Sequence, residues 1–182
     1  GGWLLAQGGI AFPGGRLAVA PVREADRLSV DGSGVLNGTA RDVPFASEAD
    51  TFAILAMRDG QPVIACVDAA SCRIADGLSL ADDPKDDVIF DGVPTTDAVD
   101  APDAFDANSL LMMGALARSC GMAGALEAML DISVTYSQDR VAFERPISKF
   151  QAVQHNLARL AGEVAAAVCA AASAADALQQ AG

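Results

Sequence analysis

Arg140, Phe143 and Gln151 stand in and beside a short charged break, SQDRVAFERPISKFQ, between two long apolar stretches. A guanidinium is always charged and presents a planar fork of donors, so an arginine in such a break is a place where an anion can be gripped. Phe143 adds a flat apolar face, and Gln151 an amide with both donor and acceptor. Gln151, His155 and Arg159 recur every fourth residue, which on a helix sets them along one polar face. Taken singly, Arg140 reads as a solvated helix end well placed on the macrodipole, and Phe143 as a hydrophobic plug. His155 and Arg159 read as polar-face residues rather than catalysts. A plain helical hairpin needs neither an arginine nor an aromatic in so short a break.

The background charge makes those few arginines informative. The chain has 182 residues with 12 Lys and Arg against 24 Asp and Glu, a net charge of −12. Such a balance leaves no basic stripe for a phosphate backbone, so nucleic acid is excluded as a partner. With 52% apolar and 20% charged residues the chain is globular rather than disordered. Cys66, Cys72, Cys120 and Cys169 form no CxxC and no metal-like spacing with His155, the single histidine, so no metal site is expected. Buried free thiols are expected in place of disulfides. The opening GGWLLAQGGIAFPGG has no basic segment before its apolar residues, so it does not read as a signal peptide. Residues 1–15 are expected to be the remnant of a preceding helical domain with its linker, in a cytoplasmic protein.

Two different periodicities divide the remainder. Residues 16–102 carry short runs rich in Val, Ile, Leu and Phe, among them RLAVAPV, TFAILAM, PVIACV and DVIFDGV. Asp31-Gly32, Asp59-Gly60, Asp76-Gly77 and Asp91-Gly92 read as the turns between them. This pattern predicts an antiparallel β-barrel or sandwich, with TFAILAM and PVIACV as its surest hairpin. Residues 103–182 change to helical spacing. Between Asn108 and Leu126 the only charge is Arg118, which predicts a helix buried nearly all round. Gly114, Gly121 and Gly124 would allow close packing. A membrane span is disfavoured, because an arginine at its centre costs ~2.5–3.5 kcal/mol. Arg118 is left with two readings, a substrate-side charge facing a cleft or a buried arginine paired with Glu127 or Asp131. The second helix is predicted to start after Pro146, with Phe150, Val153, Leu157, Leu160, Val164 and Val168 as its apolar stripe. The fold class is thus α+β, an antiparallel β-domain followed by a long antiparallel helical hairpin, half of a four-helix bundle.

The hairpin pattern Tyr136-x-x-x-Arg140-x-x-Phe143-x-Arg145-Pro146-Ile147-x-x-Phe150-Gln151-Ala152-x-Gln154-His155 resembles the acyl-CoA dehydrogenase family at the start of its C-terminal helical domain. DGSGVLNGTARDVPFASEAD resembles that family's DGxxxLNGxKxWxTNxxxAD segment, and VIFDGVPTTDAV the strand closing its middle β-domain. The resemblance implies α,β-dehydrogenation of an acyl-CoA thioester, a glutamate taking the α-proton and FAD accepting the hydride. It also implies assembly into homo- or hetero-oligomers, dimers or tetramers, with an electron-transfer flavoprotein as acceptor. On this reading Arg140 faces the FAD pyrophosphate of a neighbouring subunit, Phe143 lies beside the dinucleotide, and the Gln151 amide lies near it.

Several positions depart from the family pattern. Glu144 replaces the glycine that follows the aromatic, bringing a negative charge toward the expected pyrophosphate. Asp42 stands at the position of the flavin-facing tryptophan, and Pro44 at that of a threonine, removing a hydroxyl and an N–H. The family's Thr-Glu-Pro strand has no counterpart in GGRLAVAPVREADR. The base that some members carry 26 residues before the clamp arginine falls on Gly114, and the more usual base would lie beyond Gly182, so no catalytic residue is assigned. Two other readings follow: a non-catalytic subunit that keeps the family's fold and pairs with an active partner, and a β-sandwich interaction module whose likeness to the family is coincidental.

Overall fold

Apolar runs become strands wherever a turn residue lets the chain reverse. Asp59 and Gly60 both have positive φ, 50° and 82°, the backbone of a two-residue turn matched to strand twist. They join β4 (Thr51–Arg58) to β5 (Gln61–Asp68) in unbroken antiparallel register from Thr51↔Asp68 to Arg58↔Gln61. The computed structural model describes residues 1–23 and 25–181, with side chains to Gln179. It divides into two units, Gly1–Leu111 and Met112–Gly182.

The first unit opens with a short helix, α1 (Gly2–Gln7), and continues with β1 (Leu17–Val19), β2 (Ser29–Val30) and β3 (Val35–Pro44). After β4 and β5 come β6 (Arg73–Ala75), β7 (Lys85–Pro94) and β8 (Asp97–Asp100). The eight strands make one sheet in the order β6-β7-β3-β2-β4-β5-β8, with β1 on β4. Phe52 of β4 and Phe90 of β7 meet edge to face at 6.3 Å. They are three strands apart, roughly 14 Å in a flat sheet, so the sheet curls until its two ends share a core. That core holds Leu36, Ala40, Val43, Ile54, Val67 and Val88, all fully buried. On the outer face of β4 and β5, Leu4 and Leu5 of α1 pack with Ala53, Ile64 and Phe105.

Two details differ from the sequence-based expectation. β1 pairs with β4 in parallel, Leu17↔Thr51 through Val19↔Ala53, and β2 meets the same edge in parallel at Ser29↔Met57. The chain between β1 and β4 supplies the return path through β2 and β3, so no crossover helix is needed. Asp91-Gly92 is not a turn. It lies inside β7 where the register with β3 slips, with Gly92 at φ 67° and its N–H donating to Asn37 Oδ1 at 2.9 Å, a glycine-adapted bulge.

Asp106 caps the next helix, α2 (Ala107–Asp139): the Ser109 N–H donates to Asp106 Oδ1 at 3.0 Å. Two tiny strands, β9 (Val141–Ala142) and β10 (Arg145–Pro146), and one 3-10 turn precede α3 (Gln151–Ala181). The second helix therefore begins five residues after Pro146, because that proline is held in the small ladder and the chain stays extended at Phe150. Within the second unit a cleft is lined by Met112 and Leu116 from α2 and by Ala174 and Leu178 from α3, so the helices run antiparallel. Each covers one stripe of the other: Leu116, Ala123, Leu130 and Ser137 on α2, and Val153, Leu157, Leu160, Val164 and Ala171 on α3, are buried or half-buried.

The expectation that α2 is buried nearly all round is corrected. Two helices shield only one stripe each, and Leu111, Met112, Met122, Met129, Ile132 and Tyr136 are exposed. Gly114, Gly121 and Gly124 also face open space, with no atom within 4 Å of an added Cβ.

Candidate functional site

The break between α2 and α3 is a miniature β-hairpin. Val141 and Ala142 pair with Pro146 and Arg145, and the Ile147 N–H donates to the Arg140 carbonyl at 2.8 Å. Phe143 and Glu144 form its tip, both left-handed at φ 52° and 64°. Neither is glycine, so the tip is strained by ~1–2 kcal/mol per residue. Phe143, at this tip, is 89% exposed.

This hairpin brings the three expected binding residues to one end of the unit. Arg140 directly follows α2, Phe143 is at the tip and Gln151 is the first residue of α3; all three are exposed. Gln151 Nε2 lies 3.5 Å from His155 Nε2, so the imidazole on the next turn restrains the amide. Among the described residues no carboxylate lies within ion-pair distance of Arg140 or Arg145. Two residues that sequence reasoning did not place in the site belong to it. Arg145 lies over the Phe150 ring, 4.2 Å from guanidinium carbon to centroid, and Phe143 meets the same ring edge-on at 6.2 Å. An arginine five residues before an aromatic, across Pro146, was the available signal.

The segment of the first unit that resembles the family's DGxxxLNGxKxWxTNxxxAD stretch has another character. Ala40 pairs with Val88 and Val43 with Asp86, so Arg41 and Asp42 together face Asp87 alone in a bulge. Asp42 is left-handed, φ 56°, and its N–H donates to Asp87 Oδ1 at 3.0 Å. Its carboxylate pairs with Arg23 and with Lys85 Nζ at 3.2 Å. Arg41 pairs with Asp26, whose side chain is only 2% exposed. Behind them, Asp86 is buried and accepts from the backbone N–H groups of Ser47 at 2.9 Å and Gly77 at 3.1 Å.

The remaining candidates resolve individually. Gly114 is exposed and supplies no proton acceptor. Arg118 is exposed and, among the described residues, unpaired. Its expected pairing with Glu127 or Asp131 fails on geometry, because nine and thirteen residues of helix separate them by roughly 14 and 20 Å. The thiols are free, Cys66 buried and Cys120 and Cys169 exposed, and burial pushes Cys72 up to about 11. Among the described residues no group of three or more His, Cys, Asp or Glu could hold a metal ion.

Residues 106–182 match the family described as acyl-CoA dehydrogenase, C-terminal domain. Over those residues the chain is similar to acyl-CoA dehydrogenases. It is 44% identical over 62 residues to acyl-CoA dehydrogenase IpdE2 of Mycolicibacterium smegmatis, covering 34% of this chain and 20% of that protein. The ChsE4-ChsE5 complex from Mycobacterium tuberculosis contains a chain 26% identical, matched with a TM-score of 0.67 over 88% of this chain and 48% of its own length. A glutaryl-coenzyme A dehydrogenase in complex with glutaryl-CoA superimposes with a TM-score of 0.72 at 22% identity, over 89% of this chain and 46% of its own, and so shares the fold. The chain thus spans about half the length of these solved relatives. Its sheet and its hairpin together are similar in fold to these solved relatives, and a coincidental likeness is set aside.

Proposed function

We propose that this chain works within an acyl-CoA dehydrogenase-like flavoprotein, an assembly that withdraws hydrogen from the α and β carbons of an acyl-CoA thioester, and that its helical hairpin holds an FAD seated on a neighbouring subunit. The observation that carries this reading is the hairpin tip. Arg140 and Arg145 are cations without a carboxylate partner among the described residues, in a chain of net charge −12, beside an aromatic that is 89% exposed at the turn. Such a group fits an anionic dinucleotide: Arg140 would take two phosphate oxygens, Phe143 would cover an apolar face, and Gln151 would hydrogen-bond beside it. When bound, the flavin would supply the hydride acceptor. This chain's residues grip and orient it.

The reading also accounts for the exposed apolar surface. α2 and α3 are long and apolar enough to cross a membrane; their match to an acyl-CoA dehydrogenase C-terminal domain supports reading those faces as bundle and subunit contacts instead. The ChsE4-ChsE5 relative is a complex of two named chains, and we extend assembly with a further subunit to this chain.

The test is flavin retention. In the full-length protein, purified in its assembly, Arg140→Ala is expected to weaken FAD retention by roughly ten- to a hundredfold, the loss of ~1.5–3 kcal/mol of charge-assisted hydrogen bonding. Folding should change little, since Arg140 is exposed. Equal flavin absorbance in mutant and wild type after gel filtration refutes the assignment.

A further inference from the structure

Gln151, His155 and Arg159 follow one another at single-turn spacing along α3, and all three are exposed. The stripe turned toward α2 is the opposite one, through Val153, Leu157, Leu160 and Val164. Gln151 Nε2 faces His155 Nε2 at 3.5 Å. Two nitrogens share a hydrogen bond only if one of them accepts, and an amide nitrogen never does. The contact therefore needs a neutral ring with its proton on Nδ1 and a bare Nε2 that accepts from the Gln151 amide. The amide oxygen Oε1 is left as the group that Gln151 offers to a ligand.

Protonation reverses the pair. An imidazolium carries N–H on both nitrogens, so Nε2 no longer accepts and the amide must turn its oxygen toward it. Gln151 then offers its N–H₂ group, and a unit positive charge stands one helical turn away. The other charges at this end of the unit are Arg140, Arg145 and Lys149 from the break and Arg159 one turn beyond, against Glu144 at the tip. Asp131 and Asp139 belong to α2, which covers the opposite stripe of α3, and among the described residues His155 forms no ion pair.

We propose that His155 is a positioning residue for Gln151. With the ring neutral the amide presents an acceptor, and with the ring charged it presents a donor beside a cation, so the clamp holds an anionic diphosphate more tightly once the ring is protonated. This regulation rests on the FAD-clamp reading above. Its sign follows from linkage: a charged ring favours phosphate oxygens, and bound phosphate in turn favours the proton. Histidine is the side chain whose ordinary titration falls between pH 5 and 8, and this chain has 1.

Two measurements test it. In this chain, nitrogen NMR of the imidazole and the glutamine amides should find the neutral ring in the Nδ1–H form, although a free histidine side chain prefers the other tautomer. The Gln151 amide signal should move with the ring's titration. A ring in the Nε2–H form, or a Gln151 amide indifferent to that titration, overturns the inference. In the full-length protein, purified in its assembly, FAD should be held about two- to fivefold more tightly at pH ~5.5 than at pH ~8, the size of an exposed charge interaction. His155→Gln keeps an acceptor within reach of Gln151, suits an exposed helix position and does not titrate, so it should lose that pH dependence. A flat wild type, or equal pH dependence in wild type and His155→Gln, overturns the inference and leaves the clamp intact. Unchanged flavin in Arg140→Ala overturns the clamp reading itself.

Discussion

Arg145 stacks on Phe150, with its guanidinium carbon 4.2 Å from the ring centroid, while Phe143 closes on that ring's edge from the hairpin tip. Phe150 is thereby the pivot of the break, joining the tip to the start of α3. The contact also explains why the helix begins late. Phe150 is extended, φ −92° and ψ 128°, so its ring meets the hairpin instead of following the helical path.

Phe150→Ala should therefore loosen the hairpin. A cation–π contact and an edge-to-face pair contribute ~0.5–1.5 kcal/mol each, so a loss of about 1–3 kcal/mol is expected in urea unfolding followed by helical circular dichroism. Arg145→Lys keeps the charge and loses the planar stack, and should show only part of that loss. A lysine variant as unstable as Phe150→Ala would mean that the stack, not the aromatic pair, holds the break.

Glu144→Gly should stabilise the protein. Glycine accepts φ 64° without the Cβ penalty, a gain of ~1–2 kcal/mol, reduced by ~0.4–1 kcal/mol for the freer unfolded chain. Glu144→Ala is the control: it removes the charge and keeps the Cβ, so its thermal midpoint should not rise. If alanine stabilises as much as glycine, charge rather than backbone strain governs the tip. If Glu144 faces the pyrophosphate, both variants should also retain FAD more tightly.

Asp86 should give an acid-sensitive contribution to the sheet. Burial raises its pKa, but N–H donors from Ser47 and Gly77, with the Ser47 hydroxyl, outweigh it and hold the carboxyl below its ordinary 3.8. A depressed carboxylate stabilises the fold fully above the unfolded value and loses that contribution as pH falls through the folded one. Asp86→Asn turns an amide N–H₂ toward one of the two backbone donors and should cost about 1–3 kcal/mol near neutrality. The gap from wild type should stay level above pH ~5 and narrow below pH ~4. A gap that widens in acid would show that the carboxyl is not the charged acceptor.

The hairpin was legible because its information is local. Arg140, Phe143 and Gln151 lie within twelve residues, and the switch from two-residue to three- and four-residue spacing marks the boundary between strands and helices. The Asp59-Gly60 turn was legible for the same reason. The Asp42 ion pairs were not, because Arg23 and Lys85 reach that residue from 19 residues before and 43 after, and only the curled sheet brings them together. Burial of α2 was misread because an apolar sequence reports what a surface can pack against, whereas a two-helix hairpin covers only one stripe. Asp91-Gly92 carries the same dipeptide as a turn, and only its register against Asn37 reveals the bulge.

The 182-residue chain, supplied with FAD and a panel of acyl-CoA thioesters, is expected to leave the flavin absorbance unchanged at every acyl length. Removal of an α-proton needs a base within about 2.6–3.2 Å, directly or through one water, and the helix position at which the resemblance to the family leads one to expect it is Gly114. Glu127 stands thirteen residues further along α2, roughly 20 Å away by helical rise. Gly114→Glu separates chemistry from folding. The site is exposed, and an added Cβ meets nothing within 4 Å, so the variant should fold and gain ~0.5–1 kcal/mol of helix stability. Flavin bleaching by any member of the panel in the unsubstituted chain, abolished by Glu127→Gln, would place the base on Glu127 and overturn the register that puts Gly114 at the family's position.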